Sequence, residues 1–595
     1  MKFSAEYLQH VVERLASIGS HPFGFRVAGT PEEREAVDFV AGEMRSLGLE
    51  NVTEEPVPVD GWRLEDAYVE LPDGTRIEGA SFGGVPETGP RGVEGELVRV
   101  GRGGRRQLDR LDVAGKVALV EWQVARLWPY HVGLELGLRG AKAMVLYAPE
   151  GGPFYQAANA LGTFDGIWHA EGPPCVTIRR EDAPKVDGRV RVVLRAPRKP
   201  STGWNVVGEL PGRRRGAPVI VAGHHDGWFQ AAFDDATGVA VTLELARAFT
   251  EAGIRPARTI AFVSHTAEEY GIAESAYDWC YGAWYQVVAE HREWTTGSPF
   301  YLNVEGSGSR GDAFTLDVPP ELTGWIRGHC RAAERDGLLP HGWKLGRPNT
   351  WTEVWPFLAA GIPGINVSTF TAEFERTEYH TQFDTADTVD FGYLAKLTEL
   401  CARLLLEEPE LDFEPRARDL EGLGWGLGDT SEDNARRLFT ALARGLHGLD
   451  AIDAPRYPHE QTEADVQHLE RALEDPDHAA GHLARVGINW LCADLSHEAF
   501  RIERGRRGRR ARRACWGAMG DADPGPDLWR ELASLRGEPG ARKPGPWLEQ
   551  SLRRHLDRSR REYARRVERM VLAMTGTVHP LPHPRAGDLP GESAR

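Results

Sequence analysis

The sequence predicts an α/β protein whose body is a mixed open sheet with helices on both faces. Three observations carry that reading. From 201 to 405, β-type runs alternate with helical ones, the pattern of a sheet covered on both sides. From 58 to 200 that alternation gives way to short β-type runs broken by turns, as in an inserted β-rich module. After 410 the periodicity is helical. At roughly 150 residues per domain, 595 residues hold about three or four. The expected division assigns 1–57 and 201–410 to the sheet, 58–200 to the insert and 411–595 to a helical C-terminal domain.

The N-terminal elements come first. Phe3, Leu8, Val11, Val12, Leu15 and Ile18 are spaced for one helical face, with Glu6, His10, Glu13 and Arg14 among them. Thr30-Pro31-Glu32-Glu33 reads as a second helix start, with Thr30 as cap, Pro31 at the first position and Glu33 closing a capping box. Val37, Val40, Met44 and Leu47 form its apolar stripe and Gly48 its stop. Residues 1 to about 55 are thus expected to be largely helical and to cover the sheet.

In the insert, β-type runs occur at 67–71, 116–120, 143–147 and 190–194, with a turn at Pro72-Asp73-Gly74 and a helix expected before Gly140. In the sheet, the run 218–222 is followed by a helix over 238–249, and the run 259–263 by a helix after Glu268. Further strands are expected at 300–304 and 362–367. Near the end, Trp547, Leu548, Leu552, Leu556, Tyr563, Val567, Met570 and Met574 mark a long amphipathic helix before a Pro- and Gly-rich tail.

Composition narrows the function classes. The net charge of -17 argues against a general nucleic-acid binder. The basic run 504–513 reads as a solvated face balancing acidic neighbours. The six cysteines (175, 280, 330, 401, 492 and 515) form no C-x-x-C pair, which argues against cysteine-rich zinc sites and suits reduced, buried thiols. No uninterrupted apolar run marks a secretory leader, and no stretch approaches the ~18 apolar residues of a membrane span, so the chain reads as cytoplasmic with no membrane partner.

The chemistry-bearing residues fall just after strands. His224, His225 and Asp226 follow 218–222, with Asp234 and Asp235 shortly after; Glu268 and Glu269 follow 259–263; Glu305 follows 300–304; His380 lies further on. In open α/β sheets the carboxyl ends of strands form the ligand crevice, so residues distant in sequence converge there. Imidazole nitrogens and carboxylate oxygens are the donors a divalent cation takes. Two such ions about 3.5–4 Å apart clamp a carbonyl and an attacking hydroxide. A neighbouring carboxylate that is not a ligand is then needed to accept a proton. These residues imply a hydrolase working on water between two metal ions.

Several segments resemble the co-catalytic zinc aminopeptidase family, which includes glutamate carboxypeptidase and the catalytically silent transferrin receptor. They are TGWNVVG at 202–208, GHHDGWFQAAFDDATG at 223–238, RTIAFVSHTAEEYG at 258–271, YLNVEGSG at 301–308 and EYHTQFDT at 378–385. The spacing from His224 to Asp234, with Trp228 between, resembles the glutamate carboxypeptidase branch. The insert is similar to that branch's protease-associated domain through DVAGKV at 112–117 and GAKA at 140–143. The resemblance implies that His224 and Glu305 hold one zinc, Glu269 and His380 the other, and that Asp234 bridges them, with a cis peptide bond between Asp234 and Asp235. It further implies Glu268 as general base, Asp226 orienting His224, and Tyr379 hydrogen-bonding the tetrahedral intermediate. His225 and His265 are expected to support the ligands, and Trp228 to form a pocket wall.

Two departures matter. The family usually has Asp where this chain has Glu305, one methylene longer with the same donor. Glutamate-selective members carry arginines on the strand matching 364–368, where this chain has Asn366 and Ser368. The leading expectation is therefore an exopeptidase acting on peptides, an aminopeptidase by polarity, with two zinc ions or with manganese or cobalt in the same ligands. The alternatives are a carboxypeptidase or other amidohydrolase on the same site, and a non-catalytic receptor-like binding protein. A homodimer through the helical C-terminal region is expected by analogy with the resembled branch.

Overall fold

The computed structural model describes residues 1–409, apart from 104, 123–131, 134–135, 138, 153, 164–171, 272–279, 292, 295–297, 320–321, 347–351, 360–361 and 408. The expected C-terminal helical domain, its dimer contact, the run 504–513, Cys492 and Cys515 lie outside these residues.

Two helices open the chain, α1 (Ala5–Ala16) and α2 (Pro31–Ser46). Ser4 caps α1 by accepting from Tyr7 N, and Thr30 caps α2 by accepting from Glu33 N. Glu33 does not close a capping box. It is fully buried and reaches instead to Gly29 N, Trp204 N and His225 Nε2.

The segment expected to be largely helical up to about 55 continues as a strand, β1 (Glu50–Trp62), which runs through the expected boundary at residue 57. Its Pro56 and Pro58 are tolerated because β1 is the outer strand of the main sheet, where a missing N–H leaves no ladder bond unmade. Seven strands follow that close into a barrel: β2 (Asp66–Glu70), β3 (Arg76–Ala80), β4 (Val93–Arg99), β5 (Val117–Glu121), β6 (Ala143–Tyr147), β7 (Cys175–Ile178) and β8 (Arg189–Arg195). The chain re-enters the main sheet through β9 (Arg198–Leu210), antiparallel to β1.

The remaining sheet strands are β10 (Arg214–His224), β11 (Arg258–His265), β12 (Tyr301–Val304), β13 (Phe314–Asp317), β14 (Trp343–Gly346) and β15 (Gly364–Ser368). Their order is β1-β9-β11-β10-β12-β15-β13-β14. The central four, β11-β10-β12-β15, are parallel, so their carboxyl ends share one edge. Alternate residues of these strands enter two cores. Val219, Val221, Ile260, Phe262 and Leu302 pack with α1, α2 and the helices Thr237–Glu251 and Phe391–Leu406. Ile220, Ala222, Ala261, Val263 and Tyr301 pack with Val287, Val354 and Phe357 on the other face. Burial on both faces explains why these strands read as continuous apolar runs.

The barrel core extends toward the sheet through Phe25, Trp62, Trp228, Phe229 and Tyr270. Trp228, expected at a pocket wall, is instead 1% exposed and meets Phe25 and Trp62 edge to face at 6.2 and 6.1 Å. Cys175, Cys280, Cys330 and Cys401 are buried free thiols, as the scattered spacing implies.

One cluster beside β1 makes stability depend on pH. His291 stacks on Trp294 at 4.0 Å, with Nε2 2.6 Å from Glu55 and Nδ1 2.9 Å from Glu293. Burial opposes its protonation, but the carboxylates of Glu55 and Glu293 prevail and lift its pKa from 6.5 to about 9. A folded pKa above the unfolded one means this contribution is complete below pH 6.5 and disappears as pH rises through about 9. The thermal midpoint is therefore expected to fall between these pH values, and His291→Gln to flatten that limb; an unchanged slope would remove His291 from the explanation.

Candidate metal centre

Every residue expected at the site converges on the carboxyl edge of the four parallel strands. His224 ends β10, Glu268 and Glu269 follow β11, and Glu305 follows β12. Residues 266–270 form an irregular turn; the helix expected after Glu268 falls on 272–279, outside the described residues, and the next described helix is Tyr281–Tyr285. Asp234 sits in a turn ahead of the helix Thr237–Glu251, and its bond to Asp235 is cis. Gly238 lets that helix approach: a Cβ there would lie 2.2 Å from Val304 O and from Asp235 Oδ2.

Asp234 divides its two oxygens between two groups. Oδ1 is 3.4 Å from His224 Nε2, which is also 3.6 Å from Glu305 Oε1. Oδ2 is 3.3 Å from His380 Nε2, which is also 3.3 Å from Glu269 Oε2. Within each trio the donor atoms lie within 4.8 Å of one another. Glu268 Oε2 is 4.0 Å from His224 Nε2.

Three buried acids outside the two trios fasten this arrangement through backbone amides. Asp226 accepts from Glu268 N and Glu269 N, both at 3.1 Å. Asp235 accepts from His224 N, Gly238 N and Gly306 N at 3.2, 2.9 and 3.0 Å. Asp384 accepts from Phe233 N and Asp234 N at 2.7 and 3.1 Å. Asp226 was expected to orient His224. Its main-chain oxygen does so, 3.2 Å from His224 Nδ1, while its carboxylate Oδ1 stands at 3.6 Å and chiefly holds the Glu268–Glu269 turn. A proton on Nδ1 leaves the Nε2 lone pair directed at the trio.

His225 and His265, expected to support the ligands, are both buried and make polar contacts around the edge of the site. His225 bonds Ser264 Oγ at 2.8 Å and Glu33 Oε1 at 3.2 Å. His265 Nε2 lies 3.3 Å from Tyr301 OH, and burial with neighbouring histidines draws its pKa down to about 3. Tyr379 stacks on the His380 ring at 3.7 Å. Arg26, fully buried, donates to the carbonyls of Leu15, His225, Gln230 and Ala231, which pins the loop after His224.

The electrostatics describe a site shaped for cations. Burial alone would depress the His224 pKa, yet Glu268, Asp226, Asp234 and Glu305 hold it well above the usual imidazole range. Burial drives Glu268 and Glu305 well above the carboxylate range, and their mutual repulsion and that of Glu353 add to it. His224 Nε2 is buried without a hydrogen-bond partner. Nitrogen and carboxylate donors crowded so closely fit divalent ions, which would relieve the repulsion and occupy that lone pair.

Sequence reasoning missed Glu353. It is fully buried, accepts from Asn303 Nδ2 at 2.9 Å, and forms a third acidic group with Glu268 and Glu305. It sits just before the short helix Val354–Ala359 with no motif around it, so nothing local advertises it. Asp384 lay inside a segment already singled out, but its role needs the fold to bring it to Asp234.

Residues 205–405 match the model of peptidase family M28. The matched stretch contains all eight residues expected at the site: His224, Asp226, Asp234, Glu268, Glu269, Glu305, Tyr379 and His380. Carboxypeptidase Q of Bos taurus is 27% identical over 278 residues, 44% of this chain and 58% of that protein. Aminopeptidase YwaD of Bacillus subtilis is 24% identical over 426 residues, 70% of this chain and 87% of that protein. The solved structure of a zinc aminopeptidase from Bacillus subtilis superposes with a TM-score of 0.55 at 22% identity, covering 67% of this chain and 94% of that one, and shares the α/β fold. The chain thus spans only about three fifths of carboxypeptidase Q.

Proposed function

We propose that this protein is a metal-dependent exopeptidase that hydrolyses peptide bonds, with aminopeptidase polarity. The observation that carries this reading is the placement of Asp234, one oxygen toward His224 and Glu305 and the other toward Glu269 and His380, with Glu268 alongside. His224, Asp234 and Glu305 would hold one divalent ion, and Asp234, Glu269 and His380 the second; zinc suits the donors, and manganese or cobalt is accepted by them. When bound, such ions supply Lewis acidity toward the substrate carbonyl and make water nucleophilic near neutral pH.

The protein groups then have separate tasks. Glu268, beside the trios, takes a proton at its carboxylate and returns it to the leaving amine. Asp226 fixes Glu268 and Glu269 through their amides, keeping the base in place. Tyr379 is assigned to donate its hydroxyl to the substrate oxygen that gains charge. The barrel is assigned to the protease-associated type, inserted between β1 and β9. No helix among the described residues is long and apolar enough to cross a membrane.

Polarity follows from charge. Glu268 is surrounded by Glu269, Glu305 and Glu353, an environment that favours a substrate ammonium over a carboxylate. Asn366 and Ser368 on β15 supply no cation for a C-terminal carboxylate. The second reading, a carboxypeptidase, is favoured by the likeness to carboxypeptidase Q. A receptor-like protein is disfavoured because the full donor set and Glu268 are present. A panel of peptides blocked at either end separates these readings. N-acetylation is expected to abolish cleavage and C-terminal amidation to leave it intact. The reverse pattern establishes the carboxypeptidase, and no cleavage with fully metal-loaded protein removes the exopeptidase reading.

A further inference from the structure

The barrel meets the main sheet at the loop that carries His380. Between β6 and β7, the segment 159–163 lies along residues 380–382. Thr163 N donates to His380 O at 2.9 Å, and Gly162 and Thr381 form a β-bridge. Gln382 joins the two from the other side: Leu161 N donates to its Oε1, and its Nε2 donates to Asn159 O, both at 2.8 Å. The barrel segment is itself anchored, with Thr177 Oγ1 donating to Gly162 O at 2.7 Å, Tyr155 OH to Thr163 O, and Thr163 Oγ1 to Ser81 O.

His380 needs such a hold. Its φ of 52° lies in the left-handed region, which a non-glycine residue keeps only when its surroundings impose it. Two residues beyond Gln382, Asp384 fastens the amides of Phe233 and Asp234. A single short loop thus touches the barrel at 380–382, presents a donor to one trio, and secures the residue shared by both.

We propose that the barrel sets the affinity of the His380 half of the metal centre through Gln382, a positioning residue whose side-chain amide ties the segment 159–163 to the ligand loop. This rests on the reading of His380 as a metal ligand. Losing Gln382 frees one side of the loop, so the ion shared by Asp234, Glu269 and His380 weakens while the His224 trio, braced by Asp235 through the amides of His224 and Gly306, does not.

The test is titration of the metal-free full-length protein with Co²⁺ alone, followed by calorimetry and by the visible absorption of the bound ion. Gln382→Ala is expected to weaken one of two sites by about 10-fold or more, the scale at which partners of metal ligands act, and to change the absorption of that site only. Gln382→Glu keeps the acceptor for Leu161 N but turns an oxygen toward Asn159 O, so it is expected to weaken the same site; it carries the test if the alanine variant does not fold. Wild-type affinity at both sites, or equal weakening of both, overturns the proposal. His380→Ala run in parallel separates the two levels. If it keeps both ions, the ligand reading has failed; if it loses one while the Gln382 variants bind normally, only the barrel link has failed.

Discussion

Glu268→Gln is expected to lower peptide hydrolysis by about 10²–10⁴-fold, the usual worth of a positioned general base, while leaving metal content unchanged. The amide keeps the shape of the side chain and cannot take up a proton. Its environment makes the experiment decisive. Glu268 is 6% exposed, lies 4.0 Å from His224 Nε2, and accepts a hydrogen bond from Cys280 Sγ at 3.3 Å. Its backbone amide is held by Asp226, so the substitution should not loosen the turn. Activity and metal stoichiometry measured on the same preparation give the answer. Activity within a few-fold of wild type would assign the base elsewhere, and loss of an ion would make Glu268 a ligand.

Asp234→Ala is expected to remove both ions and with them all measurable turnover. The prediction follows from the split of its carboxylate, 3.4 Å to His224 Nε2 on one side and 3.3 Å to His380 Nε2 on the other. Both imidazoles hold its pKa down against the opposing effect of burial, so it is the anion on which the two trios depend. The affinity loss should exceed the roughly 10–100-fold seen when a partner of a ligand is removed, and should appear at both sites together. Retention of one tightly bound ion would show that Asp234 serves a single site.

Much of this centre was legible in the sequence for a physical reason. The strands buried on both faces advertise themselves as apolar runs, and His224, Glu268 and Glu305 stand directly behind them. What was illegible had mixed or remote signals. In β1, Glu54, Glu55, Pro56 and Pro58 hide the strand, because an edge position accepts residues that a central strand rejects. Glu33 looked like a helix cap because its local setting is one, while its partner His225 lies 192 residues away. Glu353 is defined only by the neighbours that folding supplies. The fold around the centre could be anticipated, as could the nearby His225 and His265; the roles of Glu33, Arg26, Asp384 and Glu353 could not, since they are long-range contacts without local periodicity.

The buried reach of Glu33 and Arg26 bears on how the molecule could be dissected. Residues 205–405 carry every proposed ligand, yet Glu33 fastens Trp204 and His225, and Arg26 gathers the carbonyls of His225, Gln230 and Ala231. Excising the family-matching stretch would leave those polar groups stranded in an apolar interior. The first two helices and the turn between them are therefore part of the folded unit that assembles the candidate metal centre, and a minimal version of that unit must keep them.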